Sequence, residues 1–222
     1  MVVKFRVQGN LRYLSHGEML RVFERSCIRA GVDFQYSRGF NPRARLSLPL
    51  PKSVGVEGHE ELLCLRVRVR ESACGEGDSP VWGFEVDVLE VRLSEELPDG
   101  CEVVSVSVLE SNRRFVPVGA RYAIGVREQY LGKALVDRAS GLLGRESIKV
   151  RRERGVKGAR FKDVDVRDYL KSIEVDEGGV FVECRISGGG SIRVEEVLML
   201  LGLDAEKLAG PVVRASIEWQ EL

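Results

Sequence analysis

The chain has 222 residues, 44% hydrophobic and 31% charged, with a formal net charge of zero; that is enough for one large folded core or two of about 110 residues, and it excludes a disordered chain. The longest apolar runs are a few residues, which excludes a membrane-spanning helix, and the opening MVVKFRVQGN lacks the apolar core of a signal peptide, so a cytoplasmic protein with no membrane association is expected. Five cysteines and two histidines lie scattered, without a CxxC or Cys/His cluster, so the thiols are expected to be reduced and mostly buried, with no metal site and no cofactor.

The elements follow in chain order. VVKFRVQG alternates apolar and polar residues and predicts a strand. The period then changes. Ser15 with Glu18 three residues on is a capping-box signature, followed by Met19, Leu20, Phe23, Cys27 and Ala30 at helical spacing, and Gly31 suits the stop. Next comes QYSRGFNPRARLSLPLPKSVGVEG, residues 35–58, where glycines and prolines frame Arg38, Arg43, Arg45 and Lys52. ELLCLRVRVR predicts a strand, and a Gly-rich acidic stretch over 71–80 leads to FEVDVLEVRLSEELPDG, a helix by its Leu89, Leu93, Leu97 spacing. CEVVSVSVLE closes this half as a strand.

The second half repeats the order. ARYAIGVR predicts a strand, EQYLGKALVDRASGLLG a helix with Leu131, Leu135 and Leu142 inward, and IKVRRERGVKGARFKDVDVRDYL a long basic insertion. VFVECRIS predicts a strand, SIRVEEVLMLLGL a helix capped by Ser191, and VVRASIEWQ a closing strand. Charge repeats too: residues 1–70 carry net +7, 71–112 net −10, 113–172 net +9 and 173–222 net −6. The expected fold is α+β: two tandem ferredoxin-like (split βαβ) units over 1–112 and 113–222, each an antiparallel sheet with helices on one face. Each half would be β-α-(basic insertion)-β-α-β, with room for one more strand inside the insertion, and the boundary falls near residues 110–119.

The basic residues point to a partner. Arg21, Arg25 and Arg29 recur every four residues on one helix face, with Arg12 just before it. Arg38, Arg43, Arg45 and Lys52 crowd the first insertion, and Lys149, Arg151, Arg152, Arg154, Lys157, Arg160 and Lys162 the second. Guanidinium groups bind phosphate in bidentate fashion and clustered cations release counterions, so a nucleic-acid backbone is the expected partner class. Tyr36 and Phe40 beside these cations suit stacking on unpaired bases or packing of the loop, and Asn41 lies among them. Catalytic candidates are few. His16 at a helix start is the one imidazole placed for general acid–base work in metal-independent RNA cleavage, and Asp163, Asp165 and Asp168 form a sparse carboxylate set.

LRYLSHGEMLRVFERSCIRAGV followed by YSRGFNPRARLSLPLPKSVGVEG resembles the N-terminal part of the bacterial radical-SAM-linked protein family, a domain of unknown function. The matching positions are Ser15, His16, Arg21, Glu24, Arg25, Tyr36, Ser37, Gly39, Phe40, Asn41, Pro42, Gly55, Val56 and Glu57. The chain departs from the family pattern at Arg38, where Gln is expected, and at Arg43-Ala44, where His-Pro is expected, so the loop offers no catalytic histidine. The resemblance implies a radical SAM protein as partner, with this chain as the accessory half. The tandem layout is also similar in outline to repeat-processing CRISPR endoribonucleases, an analogy of fold alone. The expected function is a non-catalytic RNA-binding accessory protein (tRNA or rRNA). The alternatives are an endoribonuclease using His16 and a protein-docking module without RNA binding.

Overall fold

Alternation of Val3, Phe5 and Val7 with polar neighbours makes β1 (Val2–Val7), whose apolar side is fully buried. The capping box then starts α1 (His16–Arg29): the Ser15 N–H and hydroxyl donate to Glu18 Oε2 at 2.8 and 2.6 Å. Met19, Phe23, Cys27 and Ala30 are buried along one face, as their spacing predicts, and Phe23 meets Phe5 edge-on at 4.5 Å. Gly31, at φ +85°, supplies the left-handed turn that ends the helix. The computed structural model describes residues 1–68, 86–109, 113–154 and 160–222.

The chain continues through β2 (Leu46–Ser47), β3 (Glu57–Leu65), α2 (Val86–Glu96) and β4 (Cys101–Ser107). The strand order is β2-β3-β1-β4, with every neighbouring pair antiparallel. Leu89, Leu93 and Leu97 of the α2 segment are buried, so the leucine spacing wins over the β-branched start of that stretch. One apolar cluster joins β1, β3 and β4 to both helices, and Arg29 ties the helices together by donating to the Glu96 carboxylate and, at 2.7 Å, to the Glu96 carbonyl. β3 begins earlier and ends earlier than the apolar run suggests, and the acidic stretch expected over 71–80 lies outside the described residues.

The chain divides into two compact units, residues 1–116 with 221–222, and residues 117–220. The strand that opens the second unit, β5 (Phe115–Val126), begins before ARYAIGVR. Its helix α3 (Lys133–Leu143) buries Leu135, Ala139 and Leu142. Leu131 belongs instead to the turn before that helix, because residues 128–130 form a separate 3-10 turn that resets the register.

The basic insertion is not one loop. It folds as a hairpin of β6 (Lys149–Arg154) and β7 (Arg160–Asp165), where room for one strand was expected, and is followed by β8 (Leu170–Asp176). β9 (Gly179–Ser187), β10 (Gly190–Ser191), α4 (Val194–Leu201) and β11 (Leu208–Glu221) complete the unit. Within it β8-β9-β5-β11 are neighbours in that order, β10 pairs with the end of β9, and β9 runs antiparallel to β8, β10 and β5. Ser191 does not cap α4. It sits in β10, and the helix start is held by the Arg193 N–H donating to Glu196 Oε2 at 2.9 Å. No helix among the described residues is long and apolar enough to cross a membrane.

Candidate nucleic-acid interface

The first basic segment leaves α1 through buried Val32 and Phe34 and turns outward as a pinned loop. Tyr36 and Ala44 form an antiparallel bridge, with Gln35 O accepting from Arg45 N at 2.9 Å. Ser37 closes the tip: its N–H donates to Arg43 O at 2.8 Å and its Oγ accepts from Arg43 N at 2.9 Å. A serine immediately after the strand-like bridge is what lets the turn satisfy its own backbone. Gly39, at φ +142°, takes the conformation that a side chain would resist at the tip.

That frame holds a distinctive surface. Phe40 is fully exposed (106%), and Arg38, Asn41 and Arg43 around it are exposed, their side chains without a hydrogen bond or ion pair among the described residues. A bare aromatic ring is costly in water, because it leaves about 2 kcal/mol of burial energy unused. Tyr36 serves the loop differently: its ring packs edge-on against Phe34 at 6.4 Å and is 41% exposed. Arg45, at the loop's base, is exposed, and its carbonyl accepts from Arg66 N at 2.8 Å. Arg66 escaped the sequence reading, although its place in LRVRVR, one polar position in every two, was the available signal.

Along α1, Arg21 and Arg25 are exposed and unpaired among the described residues, while Arg29 of the same stripe is spent on Glu96. Two residues expected at the interface work internally first. Arg12 donates to Gly9 O at 2.7 Å and to the Tyr13 hydroxyl at 2.8 Å, and lies 3.8 Å from Glu57. Lys52 Nζ donates to the carbonyls of Arg12 and Ser53, at 2.7 and 3.1 Å.

The second basic cluster divides in the same way. Arg152 donates from Nε and Nη2 to the two Glu196 oxygens at 2.7 and 2.8 Å, and from Nη2 to Ser191 O at 2.7 Å. Burial opposes ionisation of Glu196, yet the bonds from Arg152 and the Arg193 N–H hold its carboxyl below the usual range. Arg152 is therefore a strut between the hairpin and α4. Arg151 points the other way, its guanidinium 4.7 Å from the centre of the Phe161 ring, which is 53% exposed. Arg154 and Arg160 face each other in the strand register at the hairpin's far end, and Lys157 lies outside the described residues.

One carboxylate of KDVDVRDYL, that of Asp165, serves the hairpin. Asp165 Oδ1 accepts from Ile148 N at 2.9 Å and from Arg167 N at 3.0 Å. The Ser147 hydroxyl above all, with these two backbone bonds, holds its carboxyl down at about 2. A depressed carboxyl stabilises the fold above its unfolded value near 3.8, and that support is lost as pH falls through 2. A carbon-detected NMR titration is expected to give Asp165 a midpoint near 2, with Asp165→Asn making the hairpin amides exchange faster at neutral pH; a midpoint near 4 would contradict the bonding. No group of His, Cys, Asp and Glu among the described residues is arranged to hold a metal ion.

His16 Nδ1 is enclosed without a hydrogen-bond partner among the described residues, and the residue borders a notch of about 20 Å³ lined by Phe5, Met19, Leu48, Lys52 and Glu61. That space suits one water molecule and not a nucleotide. Cys27, Cys101 and Cys184 are buried and their thiols are pushed up to about 12 by that burial, which leaves them inert at neutral pH. A search of curated proteins returned no match. The family model described as "Uncharacterized protein conserved in bacteria (DUF2344)" matches residues 1–202, so the chain belongs to that bacterial family.

Proposed function

We propose that the chain is a non-catalytic RNA-binding accessory protein, acting on tRNA or ribosomal RNA alongside a radical SAM enzyme. The observation that carries the RNA part is the tip of the pinned loop, where the fully exposed Phe40 stands among unpaired Arg38, Asn41 and Arg43. An aromatic face for a base, flanked by guanidiniums for the adjoining phosphates, is the chemistry that unpaired RNA requires. Arg21 and Arg25 extend the cationic surface along α1, and Arg151 with Phe161 repeats the ring–guanidinium pairing in the second unit. The radical SAM partner rests on the resemblance of residues 11–58.

The shared strand order supports reading the two units as ferredoxin-like and duplicated. In each, two strands follow the first helix as a neighbouring antiparallel pair, the first strand joins the later of that pair, and the last strand takes the far side of the first. The β6–β7 hairpin is then the insertion that sets the second unit apart. The arginine-lined tips, rather than the inward-facing His16, carry the function in this reading.

Fluorescence anisotropy with a labelled tRNA and a labelled ribosomal stem-loop tests the proposal. The Arg38→Ala/Arg43→Ala double variant is expected to lose about tenfold or more in affinity, and Phe40→Ala a further loss of about 1–3 kcal/mol for the stacked base. Unchanged affinity in both variants would remove the loop from the account.

A further inference from the structure

The first unit also holds a groove of about 770 Å³ beside the base of the pinned loop. Arg45, Arg66, Arg113 and Arg114 line it, and its apolar side is made by Leu46, Val67, Val108 and Phe115. No carboxylate is among the described lining residues. Arg113 pairs with Glu221, whereas the guanidiniums of Arg45, Arg66 and Arg114 have no hydrogen bond or ion pair among the described residues. Three cations without a partner among the described residues, beside an apolar wall, favour an anionic ligand in a chain with no net charge.

The backbone beneath these arginines is fixed. Arg66 N donates to Arg45 O at 2.8 Å, while Arg114 exchanges two bonds with Leu222, at 3.0 and 2.9 Å. The cations that line the groove therefore stand on anchored backbone, and a ligand would order side chains only.

The geometry points to this groove as the seat of a short single-stranded RNA segment, its phosphates on Arg45, Arg66 and Arg114 and its bases against Val108 and Phe115. The inference rests on the RNA-binding reading and names the form of RNA taken. A duplex hides its base faces and gains nothing from an apolar wall, whereas a single strand exposes both the anion and the base. The volume is within the range of about 300–1,000 Å³ usual for sites that enclose a small ligand, which limits the seated segment to a few nucleotides. Arg45 belongs to both the loop's base and the groove, so a strand held at Phe40 continues into it.

The test is anisotropy of fluorescein-labelled hexauridylate and of a blunt RNA duplex of the same length, titrated with the full chain. Arg66→Ala and Arg114→Ala are each expected to weaken hexauridylate binding about three- to tenfold, with the far-UV circular dichroism unchanged. The duplex is expected to bind more weakly than hexauridylate and to be less sensitive to both substitutions. If hexauridylate affinity survives Arg66→Ala and Arg114→Ala while the Arg38→Ala/Arg43→Ala variant loses it, the groove is overturned and the RNA reading stands. If duplex and hexauridylate bind equally and respond equally, the groove does not select single strands. If neither RNA binds the unaltered chain, both the groove and the broader reading fall.

Discussion

Replacing Arg152 by alanine is expected to destabilise the second unit by about 2–4 kcal/mol, more than any other removal of a charge from the basic hairpin. Its guanidinium and the Glu196 carboxylate are 17% and 11% exposed and form a bidentate pair, to which the Ser191 carbonyl adds a third bond. Truncation leaves a largely enclosed carboxylate with only the Arg193 N–H, and leaves the Ser191 carbonyl without that donor. The loss exceeds that of an exposed pair because little water reaches the site to replace the missing partner. Urea unfolding, with hydrogen exchange of the β6 and β7 amides, reads the effect. A matched apolar pair, Arg152→Met with Glu196→Leu, is expected to recover most of the stability, since two well-packed apolar groups avoid the desolvation of both ions. If Arg152→Ala leaves the urea midpoint unchanged, the strut is not structural.

The second large effect is expected at Gly58, where nothing about φ is unusual. A Cβ there would stand 2.6 Å from Glu61 Cγ and 2.7 Å from Cδ, and against Oε1 as well. Glu61 is only 4% exposed and borders the His16–Lys52 notch, so its carboxylate has no solvent to swing into. Gly58→Ala must displace a buried charge or bend β3 opposite Val7, at an expected cost of about 2–4 kcal/mol. In a Glu61→Ala background the same substitution is expected to cost under about 1 kcal/mol, because the obstructing side chain is gone. Equal penalties in the two backgrounds would place the strain elsewhere.

Both cases mark where sequence stops being legible. The start of α1 was readable because Ser15 and Glu18 are three residues apart and their bonds are local. The α2 leucines were readable because a repeat of four forces one buried face. Arg152 was not: as text it is one more cation in KVRRERGVKGARFK, and its partner lies 44 residues away. Which cations are free depends on long-range pairings, so the charge count named the segment and overstated its available surface. The hairpin itself was hidden for a related reason. Val150 and Val164 face each other across it, but two valines in a run of charges give too weak an alternation to announce strands.

The loop at 35–45 was legible to a different degree. Its glycines and prolines announced a shaped turn, and Arg38 and Arg43 stand exposed, as does Phe40, for which the sequence left stacking and packing of the loop both open. The pinning was less visible, since Ser37 and the Tyr36–Ala44 bridge act through backbone groups that composition does not display. The surroundings of His16 were not legible at all: its position beside a helix cap and basic residues was visible, but the notch it borders is lined by Phe5 and Leu48, remote in sequence.

The central claim is that the exposed arginines of the pinned loop and its base hold an RNA backbone, and the salt dependence of binding tests it most directly. Each phosphate neutralised on a single strand contributes a slope of about −0.7 in log affinity against log salt, so three or four contacts predict a total of about −2 to −3. Measurable RNA affinity is expected at about 50 mM salt, falling on that slope and flattening in the Arg38→Ala/Arg43→Ala variant. No affinity at low salt, or an affinity indifferent to salt and to both arginines, would contradict it.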